Sequence, residues 1–168
     1  EIYKDCADAM KISKITMMMG KNTTFYTTIL FSLIQLICEQ VSTAATDGKN
    51  LLIHPKFFMD LTPNERIFLL AHEVLHVAFD HMHRMKDGMD PQLWNVAADY
   101  VINGCLVKAG YTMIKGGLLD RKYDGMTTEQ VYAILDKKSE TEKASLKIQC
   151  QNGMGGDIKF PKDAKPGD

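Results

Sequence analysis

Excess charge of either sign is the first thing this sequence lacks: 20 Lys and Arg stand against 21 Asp and Glu in 168 residues, for a net charge of −1. No global field draws the chain to nucleic acid or to an anionic membrane surface. Cysteine pairs are missing as well. Cys6, Cys38, Cys105 and Cys150 are widely spread with no C-x-x-C spacing. That excludes a zinc knuckle or thioredoxin-type site, and the expectation is reduced, buried thiols in a cytoplasmic protein. Long apolar runs are absent too. The most apolar stretch, 25–38, is broken by Thr27, Thr28, Ser32 and Gln35; it falls short of the ~20 apolar residues a spanning helix needs and reads as a buried helix. The opening Glu1-Ile2-Tyr3 carries neither the basic stretch nor the apolar core of a targeting segment. What is present, 45% hydrophobic and 24% charged residues, is the balance of one globular domain of ordinary size.

Asn22 can cap a helix over about 23–41, in which Ile29, Leu30, Leu33, Ile34, Ile37 and Cys38 recur at helical spacing. After the turn Thr46-Asp47-Gly48, the run Leu51-Leu52-Ile53-His54, stopped by Pro55, predicts a short strand near a sheet edge. Thr62-Pro63-Asn64-Glu65 joins an N-cap hydroxyl, a first-turn Pro and a Glu at the third helical position. These signals start a helix over about 63–85, ended by Gly88. Asp90-Pro91 caps the next, carrying Trp94 to Lys108 and closed by Gly110, and Thr127 with Gln130 opens a short helix to about Asp136. From Gln151 onward four Gly and two Pro fall in 18 residues. Residues 1–150 therefore read as the domain and 151–168 as a linker or tail.

Four of the five histidines, His72, His76, His81 and His83, lie within twelve residues, and the first two frame His72-Glu73-Val74-Leu75-His76. This is H-E-x-x-H. Four residues along a helix bring both imidazoles to one face, about one turn apart, where they can share one Zn²⁺. Glu73 then lies beside the metal, placed to take a proton from zinc-bound water and pass it to a leaving amine. A catalytic zinc needs a third protein ligand and an open position. His81 points about 140° away from His76 on a continuing helix, and His83 lies about 10 Å further along the axis, so both read as solvated helix-end histidines.

The following helix offers Asn95, Asp99 and Asn103 as one polar stripe among Trp94, Val96, Ala97, Ala98, Val101 and Ile102. Such a stripe is either a hydrogen-bonded interhelical network or a metal site. A bare buried carboxylate is costly, and a capped helix just downstream is where a zinc helix can find its partner. Asp99 is therefore the expected third ligand, with Asn95 or Asn103 orienting the site and holding its second oxygen.

The segments Thr46-Asp47-Gly48, Ile53-His54-Pro55-Lys56-Phe57, Ala71 to Ala78 and Trp94 to Asn103 carry a resemblance, joined by Tyr123-Asp124-Gly125-Met126 before a Glu-containing helix. Over about residues 12–136 the chain resembles the zincin-type metallopeptidase domain that precedes a von Willebrand factor A-like domain in bacterial and phage proteins. The resemblance implies zinc held by His72, His76 and Asp99, Glu73 as the catalytic carboxylate, and a cytoplasmic location. It also implies an A-like domain beyond Asp168 and an AAA-type ATPase partner. His54 stands where a neutral polar residue is expected; it reads as a strand-end histidine or a substrate contact. Tyr123 and Tyr111, placed after the metal helices, are candidate oxyanion donors. The expected architecture is α+β: a helix-rich, zincin-like domain with a small sheet beside the H-E-x-x-H helix. Its expected activity is zinc-dependent hydrolysis of peptide bonds in a protein or peptide substrate. The alternative is an inactive metal-binding scaffold that docks a protein partner through the same groove.

Overall fold

The computed structural model describes residues 1–153 and 157–158. Its elements run α1 (Ile2–Met19), α2 (Thr24–Ser32), β1 (Ile34–Ile37), β2 (Ala44–Thr46), β3 (Asn50–Ile53), α3 (Pro55–Asp60), α4 (Pro63–Ala78), α5 (His81–Arg84), α6 (Pro91–Lys108), α7 (Thr128–Asp136), α8 (Glu140–Asn152) and β4 (Asp157–Ile158). A 3₁₀ turn, Arg121–Tyr123, precedes α7. The class is α+β, dominated by helix. No helix among the described residues is long and apolar enough to cross a membrane.

The strands form one small sheet in the order β1-β3-β2-β4. β3 pairs in parallel with β1, Ile34 opposite Asn50, and antiparallel with β2, Ala44 opposite Ile53. β2 pairs in parallel with β4 on its other side. Two expectations change here. The strand at Leu51–Ile53 is internal and not at an edge, because Pro55, which ends it, leaves its hydrogen bonds intact and instead opens α3. The helix expected over 23–41 stops at Ser32, and Ile34–Ile37 is strand. Its apolar residues fit either period, and pairing with β3 decides in favour of strand.

The signals at α4 hold. Thr62 Oγ1 accepts from the Glu65 amide and Glu65 Oε2 accepts from the Thr62 amide, a complete capping box with Pro63 in the first turn. The helix, however, ends at Ala78 and not near 85. Asp80 takes a left-handed conformation, φ 52° and ψ 41°, which breaks the helix before the short α5 begins. In α6, Asp90 caps through the amides of Gln92 and Leu93, and α7 carries the expected box of Thr127 and Gln130. Helices α1 and α8 had no expectation. The expected linker from Gln151 lies mostly outside the described residues; Gln151 and Asn152 complete α8.

Two cores result. One gathers α1, α2, α4 and the sheet around Phe58, Phe68, Leu69, Leu70 and Val74. The other gathers α6, α7 and the 3₁₀ turn around Leu93, Trp94, Val96, Val131 and Leu135. α6 serves both, since Ile102 and Leu106 reach into the first. β2 packs against α4, and α4 packs against α6. That last seam is where the polar residues of both helices meet.

Candidate metal centre

Along the seam His72 faces Asn103 and His76 faces Asp99, the register of two antiparallel helices. Three donor atoms converge. His72 Nε2 and His76 Nε2 are 3.0 Å apart, and Asp99 Oδ1 lies 3.3 Å from each. Tetrahedral bonds of about 2.0–2.1 Å to zinc set ligands roughly 3.3 Å apart, so the triangle has the size such an ion requires. His72, Glu73 and His76 are fully buried and Asp99 is 2% exposed. Asp99 Oδ1 accepts no hydrogen bond from the described residues. A buried carboxylate oxygen aimed at two imidazole nitrogens is what a cation at their centre would satisfy.

Outer contacts orient each donor. His72 Nδ1 lies 2.8 Å from Asn103 Oδ1, while Asn103 Nδ2 donates to the Leu118 carbonyl at 2.8 Å. The second bond fixes which way the amide faces, so His72 donates from Nδ1 and keeps its Nε2 lone pair for the centre. His76 Nδ1 lies 3.1 Å from His81 Nδ1. The second oxygen of Asp99 accepts from Cys150 Sγ at 3.2 Å. From sequence, Asn95 or Asn103 is expected to hold that oxygen. Asn103 is instead committed to His72, and Asn95 Oδ1 is buried without a hydrogen-bond partner among the described residues.

Charge at the centre is shared. Burial presses His72 toward its neutral form, but the Asp99 carboxylate beside it outweighs this and raises its pKa. Burial lowers that of His76, and the neighbouring His72 charge adds to the effect. For Asp99 burial acts upward, yet the two imidazoles hold the carboxyl well below the usual carboxylate range. A cation at the centre would compete with protons for these same donor atoms.

The remaining candidates fall elsewhere or in other roles. Glu73 sits next to His72 on α4, and its charge acts on that imidazole. His81, expected at the surface, is fully buried, because the left-handed Asp80 turns the chain back toward His76. His83 is exposed and bonded to Asp80 at 2.5 Å. His54 caps α3, its Nδ1 accepting from the Phe57 amide at 3.3 Å. Tyr123 packs on Tyr100, ring centres 4.8 Å apart. It lines a cavity of about 390 Å³ to which none of His72, Glu73, His76 or Asp99 contributes. Tyr111 packs at a tilt against Tyr26 beside the first core. Cys6, Cys38, Cys105 and Cys150 form no disulfide, and only Cys6 and Cys150 are buried. His81 and Cys150 are the site residues that sequence reasoning missed. His81 had a signal, its place five residues after His76, but only with a helix break at Asp80; Cys150 had none.

Comparison with curated proteins and with solved structures finds no match. A family model matches residues 8–165, a span that takes in both helices of the centre. The chain belongs to the family described as "Putative metallopeptidase domain".

Proposed function

We propose that this domain is a zincin-like, zinc-dependent peptidase whose ion is held by His72, His76 and Asp99 and whose general base is Glu73. The observation that carries it is the convergence of three ligand atoms, all within 4.8 Å of one another, from two helices of which one bears H-E-x-x-H. Two imidazoles and one carboxylate are a donor set typical of catalytic zinc, which leaves a fourth position for water or substrate. Zinc, when bound, polarises the scissile carbonyl and lowers the pKa of the attacking water. Glu73 accepts the proton of that water and delivers it to the leaving nitrogen. Asn103 keeps His72 in its metal-competent tautomer, and Cys150 leaves Asp99 to bind through Oδ1. Strand addition of an extended peptide is not open at β3, which β1 and β2 pair on both sides, and at β2 it would require displacing Asp157–Ile158.

One observation favours a second reading. The complete burial of His72, Glu73 and His76 suits an ion that only braces the fold in a scaffold docking a partner. The two readings part at Glu73→Gln, assayed for zinc content and for cleavage of a peptide library. A peptidase keeps its zinc and loses about 10²–10⁴-fold in rate, the share that a positioned base supplies. Native protein that holds zinc yet cleaves nothing, or a variant that sheds the ion, rules out the assigned role.

A further inference from the structure

His81 is a buried polar side chain that the proposed chemistry does not use. Both of its ring nitrogens and its carbonyl are nonetheless engaged. Its carbonyl accepts from Trp94 Nε1 at 2.9 Å, its Nδ1 faces His76 Nδ1 at 3.1 Å, and its Nε2 lies 2.8 Å from Thr128 Oγ1. The ring is bonded on one side to His76 of α4 and on the other to Thr128 of α7, with the Trp94 ring of α6 set edge-on against it. Thr128 is itself buried, at the first position of α7.

We propose that His81 is a positioning residue of the metal centre, fixing the tautomer of His76. This rests on the metal reading above. Two neutral imidazoles that meet Nδ1 to Nδ1 share one proton between them, because two would clash and none would leave two lone pairs opposed. If His81 holds it, His76 must carry its own proton on Nε2, the atom that faces His72 and Asp99, and cannot ligate. If His76 holds it, the Nε2 lone pair points into the triangle and His81 accepts at Nδ1. His81 then bears its proton on Nε2, where the Thr128 hydroxyl oxygen lies in place to accept it. Only this chain, His76 Nδ1–H to His81 Nδ1 and His81 Nε2–H to Thr128 Oγ1, is compatible with a metal at His76. It does for the second ligand what Asn103 and the Leu118 carbonyl do for the first.

The test measures zinc affinity by competition with a chromophoric chelator, with circular dichroism and metal-free melting as folding controls. His81→Phe keeps the ring volume and removes the acceptor, and is expected to weaken zinc binding 10–100-fold. His81→Asn, whose amide oxygen falls near the lost Nδ1, should recover most of that loss. Thr128→Val should weaken binding and Thr128→Ser should not. In the zinc-loaded native protein, two-bond ¹⁵N–¹H spectra should show His76 protonated at Nδ1 and His81 at Nε2. Native affinity in His81→Phe, an equal loss in His81→Asn, or a proton on His81 Nδ1 overturns the assignment. Should His81→Phe not fold, the Thr128 pair and the native spectrum still decide it. Native protein that takes up no zinc removes the metal reading and this inference with it, whereas native zinc binding indifferent to His81 removes this inference alone.

Discussion

Asp99 carries a negative charge where water does not reach it, and the groups that make this tolerable are His72, His76 and Cys150. As a ligand it should matter more than any group that only orients a ligand. Loss of an outer hydrogen-bond partner typically costs about 10–100-fold in metal affinity, and Asp99→Ala is expected to exceed that range. His83→Ala, at an exposed residue bonded to Asp80, should leave affinity unchanged. Chelator competition measures both, and tight zinc in Asp99→Ala would remove the carboxylate from the site. The three residues of the candidate centre were legible because each is fixed by local geometry. His72 and His76 are one turn apart on a capped helix, and Asp99 centres the polar stripe of the next. His81 and Cys150 were not legible, since their roles depend on a left-handed Asp80 and on where α8 returns. Asp is only occasionally left-handed, and nothing nearby marks this one.

At the scale of elements, carboxylates clamp the fold at three places. Asp47 holds the β2–β3 turn through Lys49 and Asn50, Asp90 caps α6 and pairs with Lys147 of α8, and Glu129 joins α7 to Arg84 of α5. Partial burial acts to raise all three pKa values, and the hydrogen bonds outweigh it, so each lies below its ordinary value. Folded protein then binds fewer protons than unfolded chain as the pH drops. The stabilisation is complete above the ordinary carboxylate pKa of about 4 and is lost as the pH falls through the depressed values. The melting temperature should decline steeply below about pH 4. Asp90→Asn keeps a competent cap but not the titration, and should flatten that decline. An unchanged slope in Asp90→Asn would take this clamp out of the acid response. The starts of α4, α6 and α7 were legible because their caps are local side-chain-to-amide bonds, whereas α8 carries the same kind of signal in its box of Ser139 and Glu142 and had no expectation. α1 was not, because Ile12, Ile15 and Met18 stay exposed opposite the buried Cys6, Ala9, Met10 and Met17, which blurs the apolar stripe. The sequence of β1 fits a helix as well as a strand, and only its pairing with β3 distinguishes the two.

Across the whole molecule, the α4–α6 seam joins two cores, and the candidate centre lies on it with two ligands from one helix and one from the other. An ion there would connect the cores through bonds, where the metal-free protein has the attraction of His72 and Asp99 and the bond from His72 to Asn103. Binding to the folded form alone should therefore appear as global stability. A ligand at 1,000 times its dissociation constant adds about 4 kcal/mol, and a chain of this length gains about 2–4 °C per kcal/mol. Zinc in that excess should raise the melting temperature of chelator-stripped protein by about 8–16 °C. Magnesium should not, since two imidazoles suit zinc and not a hard, oxygen-seeking cation. Glu73→Gln should keep the whole rise, because its carboxylate is no ligand, and Asp99→Ala should lose most of it, because the bridge between the helices is gone. Melting that ignores zinc in the native protein, or an undiminished rise in Asp99→Ala, would mean that no ion spans the seam.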